Sequence, residues 1–182
     1  MTIFIVLLRA IGPITHKIMS MAQWRDAVAA AGFEAPETYL ATGNMIVEGT
    51  GTVEQVTQLM NEIVTELGLG SNSRAIVRVP EQLEALLRAD PLPEAARSRP
   101  SQMGVYFFAS LKPDFSWLDG FAGQEQISVQ GQHLVVDYAG GVSQSRLPIL
   151  IEKKSGVATA RNWNTLRGLV ERSAARPDKQ GH

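Results

Sequence analysis

The sequence predicts an α+β protein made of two modules, each an antiparallel sheet with helices packed on one face. Short apolar segments typical of strands alternate with amphipathic segments that begin at helix-capping residues. The first half of the chain follows the order β-α-β-β-α-β, which is the ferredoxin-like or α/β-plait pattern. A proline-rich polar stretch then precedes a second set of strands and helices.

These features divide the 182 residues into four parts. Residues 1–90 form the first ferredoxin-like module with a short extra helix. Residues 91–100 are predicted to be a linker, and 101–175 the second α+β module, which ends in two helices. The polar residues 176–182 are predicted to be a flexible tail. No internal repeat is visible in the sequence.

The first module begins with an apolar strand over residues 2–9, followed by a loop that contains the pair Gly12-Pro13. Ser20 and Gln23 then have the spacing of a capping box, which predicts a helix. This helix is predicted to end at Gly32, because glycine readily adopts the left-handed conformation of a helix C-terminus.

A hairpin and a second helix follow. Residues 38–41 and 45–48 are predicted strands joined by the turn Thr42-Gly43-Asn44, in which glycine and asparagine tolerate a positive φ. Another capping box begins at Thr52, and apolar residues at helical spacing continue to a stop at Gly68.

The remaining elements are predicted from the same kinds of pattern. Residues 74–79 form a strand, and Pro80 begins a short helix. In the second module, residues 104–110 form a strongly apolar strand. Residues 126–130 and 133–138 form a hairpin.

The last part of the second module is rich in helix-terminal signals. Ser145 is the predicted N-cap of a helix whose last turn contains Lys153 and Lys154, where positive charge complements the helix dipole. Gly156 ends that helix, and Asn162 caps the final one.

Composition excludes several classes of function. The chain has no cysteine, which rules out disulfides, thiolate nucleophiles and zinc–cysteine sites. Its three histidines lack metal-ligand spacing, and no motif of a catalytic triad or a phosphate-binding loop occurs. A net charge of −1 argues against binding to nucleic acid. The apolar run at residues 3–8 is too short to span a membrane, so a cytoplasmic protein is expected.

Three stretches of the chain carry a family resemblance: Ile5 to Arg9, Thr38 to Val47, and Leu150 to Thr165. In these stretches the sequence resembles the family known as domain of unknown function 1697. The resemblance implies two α+β modules of ferredoxin-like character and implies no activity. The chain departs from the family at residues 10–15, where relatives carry a glycine-rich loop of the Gly-Ile-Asn type.

Two groups of polar residues are candidates for binding a ligand. In the first module, the crossover from the first strand makes the second strand parallel to it, so the two strands finish at the same end of the sheet. That end of the sheet is predicted to contain Arg9, Thr42, Gly43 and Asn44. Arg9 either positions an anion there or bonds the carbonyl groups of the turn and holds the hairpin.

The second group surrounds the predicted helix termini of the second module. Arg161 is placed at the start of the final helix, where an anion would meet outward-pointing amide groups. Structural roles in capping, in dipole compensation or in an ion pair remain the alternative. The group consists of Ser145, Lys153, Arg161, Asn162 and Asn164.

The sequence therefore favours a cytosolic protein that binds a small anionic or nucleotide-like ligand without a metal or cofactor. The alternatives are a metal-independent enzyme acting on a phosphorylated substrate, and a module for protein interaction or oligomerisation. No catalytic residue is identified, and the sequence leaves the oligomeric state open.

Overall fold

The chain forms two compact units in a computed structural model that describes residues 1–177. The first unit contains Met1–Leu83 and the chain from Leu169 onward, and the second contains Glu84–Gly168. Each unit contains a four-stranded sheet in which all neighbouring strands are antiparallel. The predicted α+β class with antiparallel sheets is confirmed, and the ferredoxin-like character of the modules stays a prediction.

The sheet of the first unit is built around its first strand. The strands are β1 (Thr2–Leu8), β2 (Glu34–Thr38), β3 (Asn44–Gly49) and β4 (Ala75–Arg78), in the order β2-β3-β1-β4. Strand β1 is hydrogen-bonded on both edges, and its last five residues are buried. A continuous apolar segment suits this position, because both of its faces are removed from water.

Two amphipathic helices cover one face of this sheet. Helices α2 (Met21–Ala30) and α3 (Val53–Glu66) contribute Trp24 and Met60 to a core that also contains Phe4 of β1. Trp24 and Met60 have no exposed surface, which places them among the largest contributors to burial in this unit.

Both predicted capping boxes are confirmed. The Ser20 hydroxyl accepts from the Gln23 amide at 3.0 Å, and the Gln23 side chain accepts from the Ser20 amide at 2.8 Å. Thr52 and Gln55 repeat this exchange at the start of α3. Each box satisfies two amide groups that a helix start otherwise leaves unpaired. Both helices are followed, as predicted, by glycines with a φ of +100°: Gly32 and Gly68.

The structure differs from the sequence prediction at two elements of this unit. Strand β2 covers Glu34–Thr38 rather than residues 38–41, and its pairing with β3 is irregular between Glu34 and Glu37. Pro36 lies in this irregular part, and an edge strand tolerates its missing amide proton. The predicted loop after β1 contains a short helix, α1 (Pro13–Ile18), because proline suits a first helical position.

The end of the chain returns to the first unit. Arg176 donates to the carbonyl oxygen of Ile46 at 3.0 Å and lies 3.3 Å from the carboxylate of Glu48. Its side chain is only 9% exposed. Arg176 is therefore anchored on β3, although it belongs to the segment 176–182 that was predicted to be a flexible tail. Residues 178–182 of that segment lie outside the described residues.

The second unit contains strands β5 (Met103–Phe108), β6 (Gln126–Gln130), β7 (His133–Asp137) and β8 (Ala158–Asn162). Their order is β6-β7-β5-β8, so β5 is central as β1 is in the first unit. Strand β8 was not predicted. The sequence predicts a helix end at Gly156 and a helix cap at Asn162, and no element between them.

One face of this second sheet is covered by helix α6 (Leu147–Ser155) and by the segment that follows β5. Trp117 in that segment donates its indole N–H to the Ser155 hydroxyl at 2.8 Å, and Ser155 donates to the carbonyl oxygen of Asp114 at 2.6 Å. The hydroxyl groups of Tyr106 and Tyr138 bond to each other in the core. Each of these polar atoms therefore has a partner inside an apolar cluster.

The two sheets repeat the same register. Leu8 pairs with Ala75 at one end of β1, and Phe108 pairs with Ala158 at the corresponding end of β5. Positions in the two sheets are equivalent when they lie the same number of residues along the central strand from these pairs. Three such equivalent positions are occupied by buried polar residues in both sheets: Arg78 and Arg161, Glu48 and Asp137, Asn44 and His133. The repeat is visible in the pairing pattern and not in the sequence.

The segment 91–100, predicted to be a linker, is partly helical. It follows helix α4 (Pro80–Ala89) and contains helix α5 (Pro93–Ser98). The last helix of the chain, α7, covers Trp163–Ala174. Within residues 1–177, no helix combines the length and the apolar character that crossing a bilayer requires.

A buried carboxylate fixes the end of β7. Arg99 donates two hydrogen bonds to Asp137, at 3.0 and 2.5 Å, and the Ala139 amide donates a third at 2.9 Å. The side chain of Asp137 is 2% exposed. The bonds from Arg99 hold the pKa of Asp137 below its usual value, against the opposite effect of burial.

We predict that Asp137→Asn destabilises the protein at neutral pH and has a smaller effect in acid. The folded-state pKa lies below the unfolded-state value of about 4, so the carboxylate contributes fully above that pH. This contribution is lost as the pH falls through the folded-state pKa. Urea unfolding of both proteins at neutral pH and below about pH 3 measures the difference.

Asp26→Asn is the control, because Asp26 is exposed and pairs with its exposed neighbour Arg25. We expect this change to alter the urea midpoint little at either pH. An effect of Asp137→Asn that stays constant with pH would contradict the assigned role of the carboxylate.

A second prediction concerns Arg161, which is 8% exposed. We expect Arg161→Ala to lower the free energy of unfolding by roughly 2–3 kcal/mol, because it removes a buried hydrogen-bonded cation and leaves a void. Arg146→Ala, at an exposed arginine of the same unit, is the control and should change it by less than about 0.5 kcal/mol. Equal unfolding midpoints for the two variants would show that burial of Arg161 does not stabilise the fold.

Candidate functional site

A groove opens at the end of the first sheet where β1 ends and β4 begins. Its volume is about 580 Å³, and it is lined by residues 10–15 and 70–73. We call this space the sheet-end groove. It lies within the size range of small-molecule sites in proteins, which is about 300–1,000 Å³.

Backbone pairing at the end of β1 positions both walls of the groove. The Leu8 amide donates to the carbonyl oxygen of Gly43 at 2.8 Å, and the Arg9 amide donates to that of Arg74 at 2.9 Å. His16 donates its Nε2–H to the carbonyl oxygen of Ala41 at 2.7 Å. The loop after β1 is therefore tied to both neighbouring strand connections.

Gly43 allows this loop to pack closely. Its φ is +87°, and a Cβ at this position would lie 2.9 Å from Ile11 Cγ1 and 2.9 Å from Leu8 Cβ. Both the conformation and the space therefore require glycine. Ile11 is held against the turn, which fixes one wall of the groove.

The opposite wall is polar and contains Ser73, a largely buried residue. Ser73 is 6% exposed, and its amide donates to the carbonyl oxygen of Gly70 at 3.0 Å in a tight turn. Among residues 1–177, the Ser73 hydroxyl has no hydrogen-bonding partner. A serine hydroxyl can both donate and accept a hydrogen bond, so this group is available to a ligand in the groove.

The charged side chains of the two chain segments that form the groove are all positive. Arg9, Lys17 and Arg74 are the charged residues of the segments 9–18 and 70–74, which contain no aspartate or glutamate. The Arg9 guanidinium donates to the carbonyl oxygen of Asn72 at 3.1 Å, which places it beside the polar wall. Neighbouring charges of one sign favour a ligand of the opposite sign.

The structure places the four predicted residues of the first unit at one edge of the sheet. Asn44 has no exposed surface, and its amide group donates to Tyr39 O and to the Thr42 hydroxyl, both at 2.9 Å. Asn44 thus holds the turn together. Arg9 bonds the loop before β4, and Gly43 acts through packing, so both shape the groove.

The prediction that Arg161 begins a helix is wrong. Arg161 lies in β8, where it pairs with Val105, and its guanidinium donates to Thr159 Oγ1 at 2.5 Å and Ala160 O at 2.9 Å. Burial lowers its pKa to about 10, so it stays protonated at neutral pH. A buried arginine within the sheet cannot meet an anion at a helix start.

The other predicted residues of the second unit mostly serve helix termini. Asn162 accepts from the Thr165 amide at 2.9 Å, which confirms it as the cap of α7. Helix α6 begins two residues after Ser145, whose hydroxyl accepts from the Leu147 amide at 3.1 Å. Three further side chains are exposed, two in the last turn of α6 and one in the first turn of α7: Lys153, Lys154 and Asn164.

A smaller cavity of about 210 Å³ lies in the second unit near the end of β7. Glu125 and Ser145 contribute to its lining, and Ser145 donates to the Glu125 carboxylate at 2.5 Å. A carboxylate in the wall disfavours an anion there. Of the two cavities, the sheet-end groove therefore suits an anionic ligand better.

The lining of the sheet-end groove consists of hydroxyl, amide and apolar groups. None of its lining residues titrates near neutral pH, so the walls offer no general acid or base. Within residues 1–177, no cluster of three or more histidine, aspartate or glutamate residues could hold a metal ion. Sequence reasoning missed Ser73, for which the run Ser71-Asn72-Ser73 before β4 was the available signal.

Comparison with solved structures gives a relative with the same fold. The chain matches the conserved bacterial protein SP0830 from Streptococcus pneumoniae with a TM-score of 0.71 at 17% sequence identity. The match covers 93% of this chain and 97% of the other. At this identity the likeness establishes the fold alone.

Sequence comparison identifies the family. No functionally curated protein matches the chain. A family model described as "Protein of unknown function (DUF1697)" matches residues 1–134, which is most of the chain and includes the whole sheet-end groove. The chain therefore belongs to the DUF1697 family, as its sequence motifs indicated.

Proposed function

We propose that this protein is a cytosolic binding protein for a small anionic ligand and that the sheet-end groove is its binding site. The observation that carries the proposal is the Ser73 hydroxyl, which belongs to a largely buried residue of the groove lining and bonds no other group of residues 1–177. A ligand oxygen would accept from this hydroxyl in place of water.

The surrounding charge supports an anion over a cation or a neutral ligand. Arg9 lies beside the polar wall, Arg74 and Lys17 are exposed nearby, and the lining contains no carboxylate. Hydrogen bonds to an ionised acceptor are about twice as strong as those between neutral groups. The same two walls would thus bind an oxyanion more tightly than a neutral analogue.

Enzymatic action on a phosphorylated substrate is less well supported. Such a reaction needs a positioned group that transfers a proton or holds a metal ion. The lining residues provide hydroxyl, amide and apolar groups only. Binding without turnover is the function that this geometry supports.

We predict that Ser73→Ala weakens binding of inorganic phosphate about tenfold, the loss expected for one hydrogen bond to a charged acceptor. Stability should change by less than about 0.5 kcal/mol, because the hydroxyl has no protein partner to lose. Backbone amide chemical shifts of residues 10–15 and 70–73, followed during a phosphate titration, give the affinity and the location together.

Ser101→Ala is the control, because Ser101 is an exposed serine of the second unit. This variant should bind phosphate as the wild type does. If phosphate shifts no amide of the two lining segments in the wild-type protein, the groove is not an anion site.

A further prediction tests the contribution of the Arg9 charge to phosphate binding separately from that of the Ser73 hydroxyl. Arg9→Gln should weaken phosphate binding and reduce its dependence on salt, because a positive charge beside the site is removed. Arg25→Gln on α2 is the matched control, since Arg25 is exposed and pairs with its neighbour Asp26. Titrations at low and high ionic strength measure both effects, and equal salt dependence in the two variants would count against a role for Arg9.

A further inference from the structure

We infer that the ligand of the sheet-end groove is an organic anion that carries an apolar group, such as a phosphate monoester with an aromatic or aliphatic substituent. This inference rests on the proposed function and extends it to the class of ligand. It follows from the size of the groove and from the difference between its walls.

The groove is larger than an inorganic anion requires. A water molecule occupies about 30 Å³ in the liquid, and an inorganic oxyanion has roughly the volume of a few water molecules. The groove holds about 580 Å³. A phosphate bound at Ser73 would fill a minor part of this space and leave the remainder in contact with water.

The remaining space is bounded by apolar residues. The wall formed by residues 10–15 contains Ile11, Pro13 and Ile14. Ile14 is 78% exposed, so its side chain lies in water with little protein contact. Covering exposed apolar surface is favourable in proportion to the area removed from water.

The polar and apolar groups are on different walls. The hydroxyl of Ser73 and the guanidinium beside Asn72 belong to one side, and Pro13 and Ile14 belong to the other. A ligand with an anionic end and an apolar end satisfies both walls at once. Pockets that bind organic ligands commonly combine a mainly apolar lining with a few placed polar groups.

The apolar wall is also fixed before a ligand arrives. Ile11 packs against Gly43, and the chain beyond Ile14 is tied to the hairpin turn through His16 and Ala41. A preformed wall binds with less loss of conformational entropy than one that must become ordered. The exposure of Ile14 is thus a property of an ordered surface.

The test compares inorganic phosphate, phenyl phosphate and phenol as probes of the full-length protein. We expect phenyl phosphate to bind about tenfold more tightly than inorganic phosphate, and phenol more weakly than phenyl phosphate. Ile14→Ser should reduce the affinity for phenyl phosphate about five- to tenfold and leave that for inorganic phosphate unchanged. Because Ile14 is exposed, the variant should melt within a few degrees of the wild type.

Ile149→Ser is the matched control, because Ile149 on α6 is 76% exposed and belongs to the other unit. It should alter neither affinity. Equal binding of phenyl phosphate and inorganic phosphate, or an equal loss of both in Ile14→Ser, would overturn the inference and leave the anion site standing.

Two other outcomes are decisive. If neither phosphate probe binds the wild type, the proposed anion site fails together with this inference. If the wild type self-associates in sedimentation experiments and Ile14→Ser abolishes this, Ile14 belongs to a protein interface and the inference is overturned.

Discussion

The candidate site depends on the hydrogen-bonded register of β1, the central strand of the first sheet. Leu7 lies opposite Asn44 on one side, and Leu8 lies opposite Ala75 on the other. These pairs bring the loop after β1, the β2–β3 turn and the loop before β4 to the same edge. A shift of one residue would exchange the faces of the strand and remove Phe4, Val6 and Leu8 from the core that the helices cover. The side-chain packing that fixes this register therefore also fixes the position of the groove.

The second unit shows why similar sheets do not produce similar sites. Its register places Arg161 where the first sheet has Arg78, and burial lowers the pKa of both guanidinium groups to about 10. Both arginines are therefore part of the interior of their sheets. The polar surface available to a ligand is supplied by the connections between strands, which differ between the units. The two sheets share their strand pairing and their positions for buried polar residues. The loops differ between the units, and loops are where binding residues are most often found.

Local interactions made part of this structure predictable from the sequence. The capping boxes at Ser20 and Thr52 and the cap at Asn162 each join residues three positions apart, so their patterns are visible without tertiary information. Strand β8 was missed because the cap signal at Asn162 suggested that Arg161 begins a helix. Its identity as a strand comes from pairing with β5, which lies far away in the sequence. The placement of Arg9 at the same end of the sheet as the hairpin turn followed from topology. The burial of Ser73 depends instead on packing, which no local sequence pattern indicates.

The two walls of the sheet-end groove differ in how they are held, and this difference bears on selectivity. Because Gly43 lacks a Cβ, Ile11 can pack closely against the hairpin turn, and this contact positions the apolar wall. On the polar side, Arg9 bonds the neutral carbonyl oxygen of Asn72 at 3.1 Å. A bond from guanidinium to an ionised oxygen is stronger than one to a neutral carbonyl. In the proposed site, the charge of the ligand would be met on the polar wall, and discrimination between organic substituents would fall to the apolar wall.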